Sequence, residues 1–538
     1  MSKSPKSIVI GAGFGGIAAA LRLRAKGYEV TLIDKQDKLG GRAYQYNRQT
    51  DLGTVIHDAG PTVITAKFLF DELFALFGKK REDYMTFVDL YPWYRIQFAD
   101  GSVFNYGGTL EQMEAEIEKF EPGAAASFRK YLVHSKQIFD TGFTKLGAVP
   151  FHKPLQMIGC VPDLIRLGNY KTVWQMASKY FKTEKLRRVF SFQPLLVGGN
   201  PFNTTSIYAL IFYLEREWGV QFCMGGTGGI IRGLEKLMRE EGINIRLNEE
   251  VAKVDISSYL TDAIEAGQKN AKAIRWKVTP AMRTRLVRSV QLKTGETIEV
   301  NPRQTMPNDS VGIVVANADA PHVYKHLIEP RYAKGIAPRR VHSKIAPLKY
   351  SMGLFVMYFG TKRPYPNVAH HTIVLGESYK ELIYRLFDKF DLETQDLSVY
   401  LHRPTCTDPS MAPAGCESFY VLVPVPNNQG GHDYSKLGPQ LRDATVKYLS
   451  RTILPDLENT IFDDFYVTPD HFAKNLNSLH GTGFSIQPIF SQSAYFRFHN
   501  KAPGIEGLYF VGAATHPGAG MPGVICSAKV LDHLIPSV

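Results

Sequence analysis

Cysteine is scarce and scattered in this chain. Five residues in 538 (Cys160, Cys223, Cys406, Cys416 and Cys526) show no C-x-x-C spacing. That pattern argues against a disulfide framework or a paired-cysteine zinc and for a reducing compartment. Long apolar runs are missing too. Nothing approaches the roughly 18 to 20 apolar residues of a membrane-spanning helix, and the longest run, Ile207 to Leu214, reads as a core or interfacial helix. Lys3 and Lys6 precede an apolar run, but its glycines fall at nucleotide-binding spacing and Arg22 and Arg24 close it, so a secretory signal is not expected. There is no repeat, no serine or cysteine nucleophile arrangement, and no histidine cluster with metal-ligand spacing. His370 and His371 are adjacent and would face opposite sides of a strand, so no metal is expected. Acidic residues are outnumbered, 51 against 63 Lys and Arg, for a net charge of +12. A basic balance suits anionic lipid, acidic ligands or nucleic acid. Without an arginine-rich arm, zinc-finger spacing or an RNA-binding aromatic signature, nucleic acid is not expected.

What the chain does contain is glycine in telling places. Ser7 to Gly16 (SIVIGAGFGG) reads as a buried strand, a glycine turn and a helix start. With 46 glycines in 538 residues, chance alone supplies roughly 0.3 G-x-G-x-x-G matches, so context must decide. Asp34 ends the next apolar run, at the spacing where a carboxylate meets a ribose hydroxyl. Gly40 and Gly41 would let backbone approach a ligand, and Arg42 can face phosphate. At the other end of the chain, a strand from Leu508 to Val511 runs into a Gly/Pro-rich turn and a further helix. Together these segments describe an FAD site built from both termini. Gly11, Gly13 and Gly16 keep side chains off the pyrophosphate at a helix N-terminus. Val251 and Gly512 are further expected contacts. Pro522, Gly523 and Val524 open a helix that can stabilise negative charge on the flavin edge. No second dinucleotide fingerprint is present, which argues against an NAD(P)H-linked reductase.

Acid–base candidates are few. His516 lies between the C-terminal elements, either packing the turn or near the flavin. Asp58 is expected to bond backbone in the turn that follows it. The catalytic residue is otherwise left open.

The fold class expected is α/β: a Rossmann-like FAD-binding domain, discontinuous in sequence, with an α+β substrate domain and a helical membrane-docking region. Residues 1–75 form the first part of the FAD domain and 76–108 contribute substrate-domain strands, with a hairpin at Tyr94–Phe98 and Ser102–Tyr106. Residues 109–220 are helical. Residues 221–320 return to the FAD domain through the glycine cluster Gly225–Gly229, a helix Ile230–Glu241 and the strand Val251–Ile256. Within them, 277–310 reads as an extended, basic surface hairpin bearing Arg283, Arg285 and Arg288. Residues 321–495 form an antiparallel substrate sheet and 496–538 close the FAD domain. Residues 143–181 mix apolar and aromatic residues with Lys153, Arg166, Lys171 and Lys179, a composition that can lie on a bilayer.

Several longer strings carry a resemblance: DAGPTVIT (58–65), FNY (104–106), SFQPLLVGGNPFNTTSIY (191–208), LEREWGVQF (214–222), GGTGG (225–229), HGTGFSIQP (480–488), QSAYFRFHN (492–500) and VGAATHPGAGMPGV (511–524). Over nearly its whole length the chain resembles the bacterial-type phytoene desaturases, FAD-dependent carotene desaturases. The resemblance implies a protein peripheral to the cytoplasmic side of the cell membrane that draws phytoene into a tunnel and takes it stepwise to lycopene. Hydride would leave an allylic CH2–CH2 unit for flavin N5, a proton would follow, and oxygen or a quinone would reoxidise the flavin. A sister desaturase acting on C30 diapophytoene or a hydroxylated carotenoid, or a carotene isomerase, fits the same scaffold. So, from another class, does a flavin-stabilised membrane-interaction protein without turnover. Two departures stand out. Residues 277–310 are longer than the family's usual loop, and Gly512 to Thr515 reads GAAT where the family commonly has GAGT.

Overall fold

A computed structural model describes residues 4–258, 261–262, 284–303, 305, 311–330, 332, 345 and 347–538. Its central layer is a five-stranded sheet in the order Leu508–Phe510, Ile313–Ala316, Lys6–Ile10, Glu29–Ile33, Asn244–Arg246. Every neighbouring pair is parallel. Strands covered on both faces read as continuous apolar runs, and Ile8, Val9 and Ile10 are buried with Val314, Val315 and Ala316 beside them. Three distant segments of chain thus supply one sheet. Small residues let a helix sit close on it: Ala18, Ala19 and Ala20 of the helix Phe14–Ala25 are fully buried, and that helix packs on the C-terminal helix Met521–Lys529.

A second sheet corrects the expectation of a surface hairpin over 277–310. Arg285–Leu292 is the middle strand, antiparallel to Val251–Ser258 and Thr297–Glu299 and parallel to Ile505–Glu506. Its alternation fails because both faces are covered. Arg288 is buried, paired with Asp262 at 2.8 Å and donating to Ser257 Oγ at 2.9 Å, as a charge taken from water must be. Residues 277–283, including Arg283, lie outside the described residues.

The third sheet has seven strands, in the order Ile461–Val467, Gly353–Thr361, Glu417–Val425, Val399–His402, His371–Leu375, Tyr94–Phe98, Val103–Tyr106. It is not purely antiparallel as expected. His371–Leu375 and Tyr94–Phe98 run parallel, because the early hairpin docks onto strands nearly 280 residues later. That docking places Tyr94 and Tyr106 under the helical region. There the helix Leu110–Phe120 opens on a capping box in which Thr109 and Gln112 bond each other's backbone N–H. The helix expected at Ile230 starts earlier, at Gly226, inside the glycine cluster. Gly226 has φ +70°, and a Cβ there would sit 2.3 Å from an Asp58 carboxylate oxygen, so only glycine fits. Among the described residues no helix is long and apolar enough to cross a membrane.

Candidate functional site

One cavity of about 540 Å³ is walled by both ends of the chain and by the seven-stranded sheet. Asp34, Gln36, Glu250 and Val251 line one extremity. Asp34 does structural work there: its carboxylate accepts from Ala12 N at 2.6 Å and from Gln36 N at 2.8 Å, pinning the glycine turn to the next strand. Burial pushes its pKa up, and those two N–H groups oppose the shift. Gly11, Gly13, Gly15, Gly40, Gly41 and Asn317 continue the wall. At Gly15 an added Cβ would meet Asn317 Oδ1 at 2.5 Å. Gly16 does not reach the cavity. A Cβ there would sit 1.9 Å from the Gly11 carbonyl oxygen, so this glycine closes the turn onto the helix rather than admitting a ligand.

Two helices end on this cavity. Phe14–Ala25 starts from Gly13 and Met521–Lys529 from Gly520, neither N-cap makes a side-chain hydrogen bond, and neither first turn contains an acidic residue. Pro522, Gly523, Val524 and Gly512 stand on the wall beside them. Uncapped N-termini concentrate unpaired N–H groups and positive dipole ends. Such a donor set, in a cradle that side chains would fill, fits a diphosphate and the electron-rich edge of a flavin. Arg42 lines the cavity, and part of its guanidinium is bonded to protein. Its Nε donates to Gly483 O at 2.9 Å and Nη2 to Ser478 Oγ at 3.2 Å, within the buried surroundings of Asp319. It ties the 478–485 segment to the cavity wall.

Beyond Ala59, Gly60, Pro61 and Thr62 the lining turns to carbon, with Leu195, Ile207, Leu214, Leu354, Ile373 and Leu422. Several of the polar groups there are bonded to one another. Thr62 Oγ1 lies 2.9 Å from Tyr400 OH and 2.7 Å from Tyr420 OH, and Tyr400 OH lies 2.7 Å from His371 Nδ1. Glu215 accepts from Tyr94 OH at 2.7 Å and from Tyr106 OH at 2.8 Å, and Gln193 supports Tyr106 at 3.2 Å. Burial pushes the Glu215 carboxyl up to about 7, against the pull of its two phenol donors. Neither Glu215 nor the three-residue Thr62 cluster stood out in the sequence, because their partners lie 109 to 358 residues away.

The two acid–base candidates separate. His516 lines the cavity, with Nε2 2.9 Å from Leu146 O and its ring edge-on to Phe151. Its Nδ1 has no hydrogen-bond partner among the described residues, and burial, with a smaller contribution from Arg497, holds the imidazole down to about 4. Asp58 is absent from the cavity wall. It was expected to bond its own turn, but Oδ1 accepts from Thr227 N at 3.0 Å, Thr227 Oγ1 at 2.9 Å and Gln45 Nε2 at 2.9 Å. It anchors the N-terminus of the helix Gly226–Glu240. Ala514, the departure in the C-terminal string, packs with Phe510 and Tyr324 away from the wall.

His370 and His371 do not diverge as adjacent strand residues would. His370 precedes the strand in a bend, where alternation does not hold, and His402 faces His371 in register. Ring nitrogens of all three lie within 4.8 Å of one another. His370 Nε2 and His402 Nε2 are 3.1 Å apart, and His370 Nδ1 is 2.7 Å from Thr407 Oγ1. Burial holds all three imidazoles low, and among the described residues His371 Nε2 and His402 Nδ1 have no hydrogen-bond partner.

Residues 14–529 match the family described as flavin containing amine oxidoreductase. A lycopene-forming phytoene desaturase of Pantoea ananas is 40% identical, covering 98% of this chain and 98% of that protein. A neurosporene-forming phytoene desaturase of Rhodobacter capsulatus is 36% identical, covering 99% and 94%. Among solved structures, putrescine oxidase bound to putrescine superposes with a TM-score of 0.59 at 13% identity, over 99% of each chain. That likeness speaks for the fold alone.

Proposed function

The chain belongs to the flavin containing amine oxidoreductases and, within them, to the phytoene desaturases, and from that premise we propose that it takes phytoene to lycopene by FAD-dependent desaturation in carotenoid biosynthesis. The observation that carries the reading is the continuity of the cavity. A wall of glycine backbone and uncapped helix ends passes without interruption into a wall of aliphatic side chains. One end fits FAD and the other fits a hydrocarbon. Bound there, FAD supplies a two-electron acceptor for hydride from an allylic carbon. The chain's own contribution is placement: Leu195, Leu214, Leu354 and Leu422 exclude water and align an extended polyene, while Thr62, Tyr400 and Tyr420 fix the wall where the two halves meet.

Peripheral membrane docking, on the cytoplasmic face, completes the proposal. The helix Pro154–Arg166 has no buried residue. Leu155, Ile158, Val161 and Ile165 are 77%, 62%, 41% and 64% exposed along one stripe. Lys145, Lys153, Arg166 and Lys171 flank it, suited to anionic headgroups. This helix contacts Ala494–Phe496, and Ala494 and Phe151 line the cavity, so a polyene leaving the bilayer would meet the apolar end. Oxygen or a quinone would take the electrons onward. The test is flavin-loaded protein mixed with phytoene in liposomes, with products separated by mass and visible spectrum. A red product eight hydrogens lighter than phytoene would support the reading. Unchanged phytoene alongside desaturated diapophytoene would overturn the C40 assignment, and an isobaric product would indicate isomerisation.

A further inference from the structure

Resting on the desaturase reading, we propose that Glu215 is the catalytic proton acceptor in each desaturation. Four carboxyl groups line the cavity among the described residues. Asp34, Glu249 and Glu250 stand at its nucleotide end, and Glu215 alone stands among the aliphatic side chains. It projects from the helix Leu210–Trp218, whose Leu210, Ile211 and Leu214 share the same wall. A buried carboxylate retained for stability is ordinarily paired with a cation. Glu215 has none. Each oxygen accepts from one phenol, Tyr94 or Tyr106, which leaves each with an unused lone pair. Arg216 turns the other way, its guanidinium 5.2 Å from the Trp93 ring centre. The groups that face Glu215 from the packed elements are Tyr94 and Tyr106 on the sheet, and Tyr131 on the helix Ala125–Phe139, all neutral phenols. Gln193 reaches it through Tyr106.

The reaction needs such a group. One C–H bond of the CH2–CH2 unit breaks with its electron pair leaving to the flavin as hydride. The neighbouring C–H bond breaks as the hydride leaves, its electrons becoming the new double bond and its proton forming an O–H bond on Glu215. Substrate loses one hydride and one proton, flavin is reduced by two electrons, and Glu215 is protonated until solvent takes the proton back. An apolar setting makes this carboxylate a stronger base than an exposed one, and a base poised near 7 suits transfer at physiological pH. The competing acceptor on the same wall is His516 through its unpartnered Nδ1. It would have to become cationic near the Arg497 guanidinium, whereas Glu215 only loses a charge.

The test is anaerobic flavin bleaching by phytoene liposomes in a single turnover, followed against pH and by difference infrared spectroscopy. For the wild type, the rate should rise with pH and level off above about 7. A protonated-carboxyl C=O band should grow with reduction. Glu215→Gln should bleach about 10²- to 10⁴-fold more slowly, lose the pH dependence and lose the band, with flavin content and polyene binding retained. If that variant does not fold, Glu215→Asp and Tyr106→Phe decide: the first should recover part of the rate, and the second, missing one donor to the carboxylate, should move the pH profile upward. Near-wild-type bleaching in Glu215→Gln, or an unmoved profile in Tyr106→Phe, would overturn the assignment. So would loss of the pH-dependent step in His516→Gln with the carboxyl band intact. A wild type that stays unbleached while holding flavin would instead bring down the desaturase reading, and this assignment with it.

Discussion

At its nucleotide end the cavity is walled by main chain: glycines, two uncapped helix starts and a carboxylate that pins the glycine turn to the next strand. At its apolar end it is walled by side chains gathered from a helix, a 3₁₀ turn and a seven-stranded sheet, with Thr62 and Glu215 each held by two phenols. The first surface is fixed by local backbone conformation and tolerates almost no added atom. The second is fixed by long-range packing and can lose a single bond with modest loss. Gly16→Ala should therefore be the most damaging change. Its Cβ would lie 1.9 Å from a backbone oxygen that cannot swing away. The expected cost is on the order of 3 to 5 kcal/mol, at the severe end for single substitutions. Purified protein should carry little flavin, read from the ratio of visible to ultraviolet absorbance, although Gly16 touches no part of the cavity.

Asp58→Ala comes next and separates anchoring from chemistry. It strands the Thr227 N–H, the Thr227 hydroxyl and the Gln45 amide in a fully buried site. A loss of about 2 to 4 kcal/mol in denaturant unfolding follows from leaving buried donors unmatched. Turnover per bound flavin should stay within about twofold, since Asp58 lies off the cavity wall. A hundredfold loss at unchanged flavin content would return Asp58 to the chemistry.

This contrast also explains what could be read from the residues alone. The dinucleotide turn, Asp34, the C-terminal strand and its helix were legible because their chemistry is local: a glycine spacing, a carboxylate at a strand end, a proline at the first helical position. Helices such as Leu110–Phe120 and Ala125–Phe139 were legible from their period. The apolar end was not. Tyr94 and Tyr106 look like ordinary strand residues, and Glu215 like the polar face of a helix, until the hairpin docks beside His371–Leu375 and brings them together. The same docking made the sheet mixed rather than antiparallel. Arg288 was misplaced on a surface because a basic strand gives no sign of Asp262 waiting beneath it.

Glu215 also links the comparison to stability. Its carboxyl is raised from 4.5 to about 7 in the folded state. A raised folded pKa means the group favours folding most below its unfolded pKa, and that advantage is lost as pH climbs through about 7. Above that the buried anion weighs against the fold. Glu215→Gln should therefore be more stable than wild type at pH 8, by at most about 3 kcal/mol, and the gap should shrink toward pH 5. Thermal unfolding of the two proteins at both pH values checks the sign. An equal or larger gap at pH 5 would mean that burial does not govern this carboxyl.

The smallest stability effect belongs to the surface that should matter most for substrate delivery. Leu155→Asp combined with Ile158→Asp places two charges on side chains that are 77% and 62% exposed, on a helix with nothing buried. Stability should change by no more than about 0.5 kcal/mol per site, and flavin content should not change at all. Binding to anionic liposomes should nevertheless fall steeply, because the apolar stripe that would enter the headgroup region now carries charge. Phytoene dispersed in detergent should still bleach the flavin of the double variant, while phytoene held in liposomes should not. Equal bleaching from both would separate the exposed stripe from delivery and leave the helix as a surface feature without a role at the membrane.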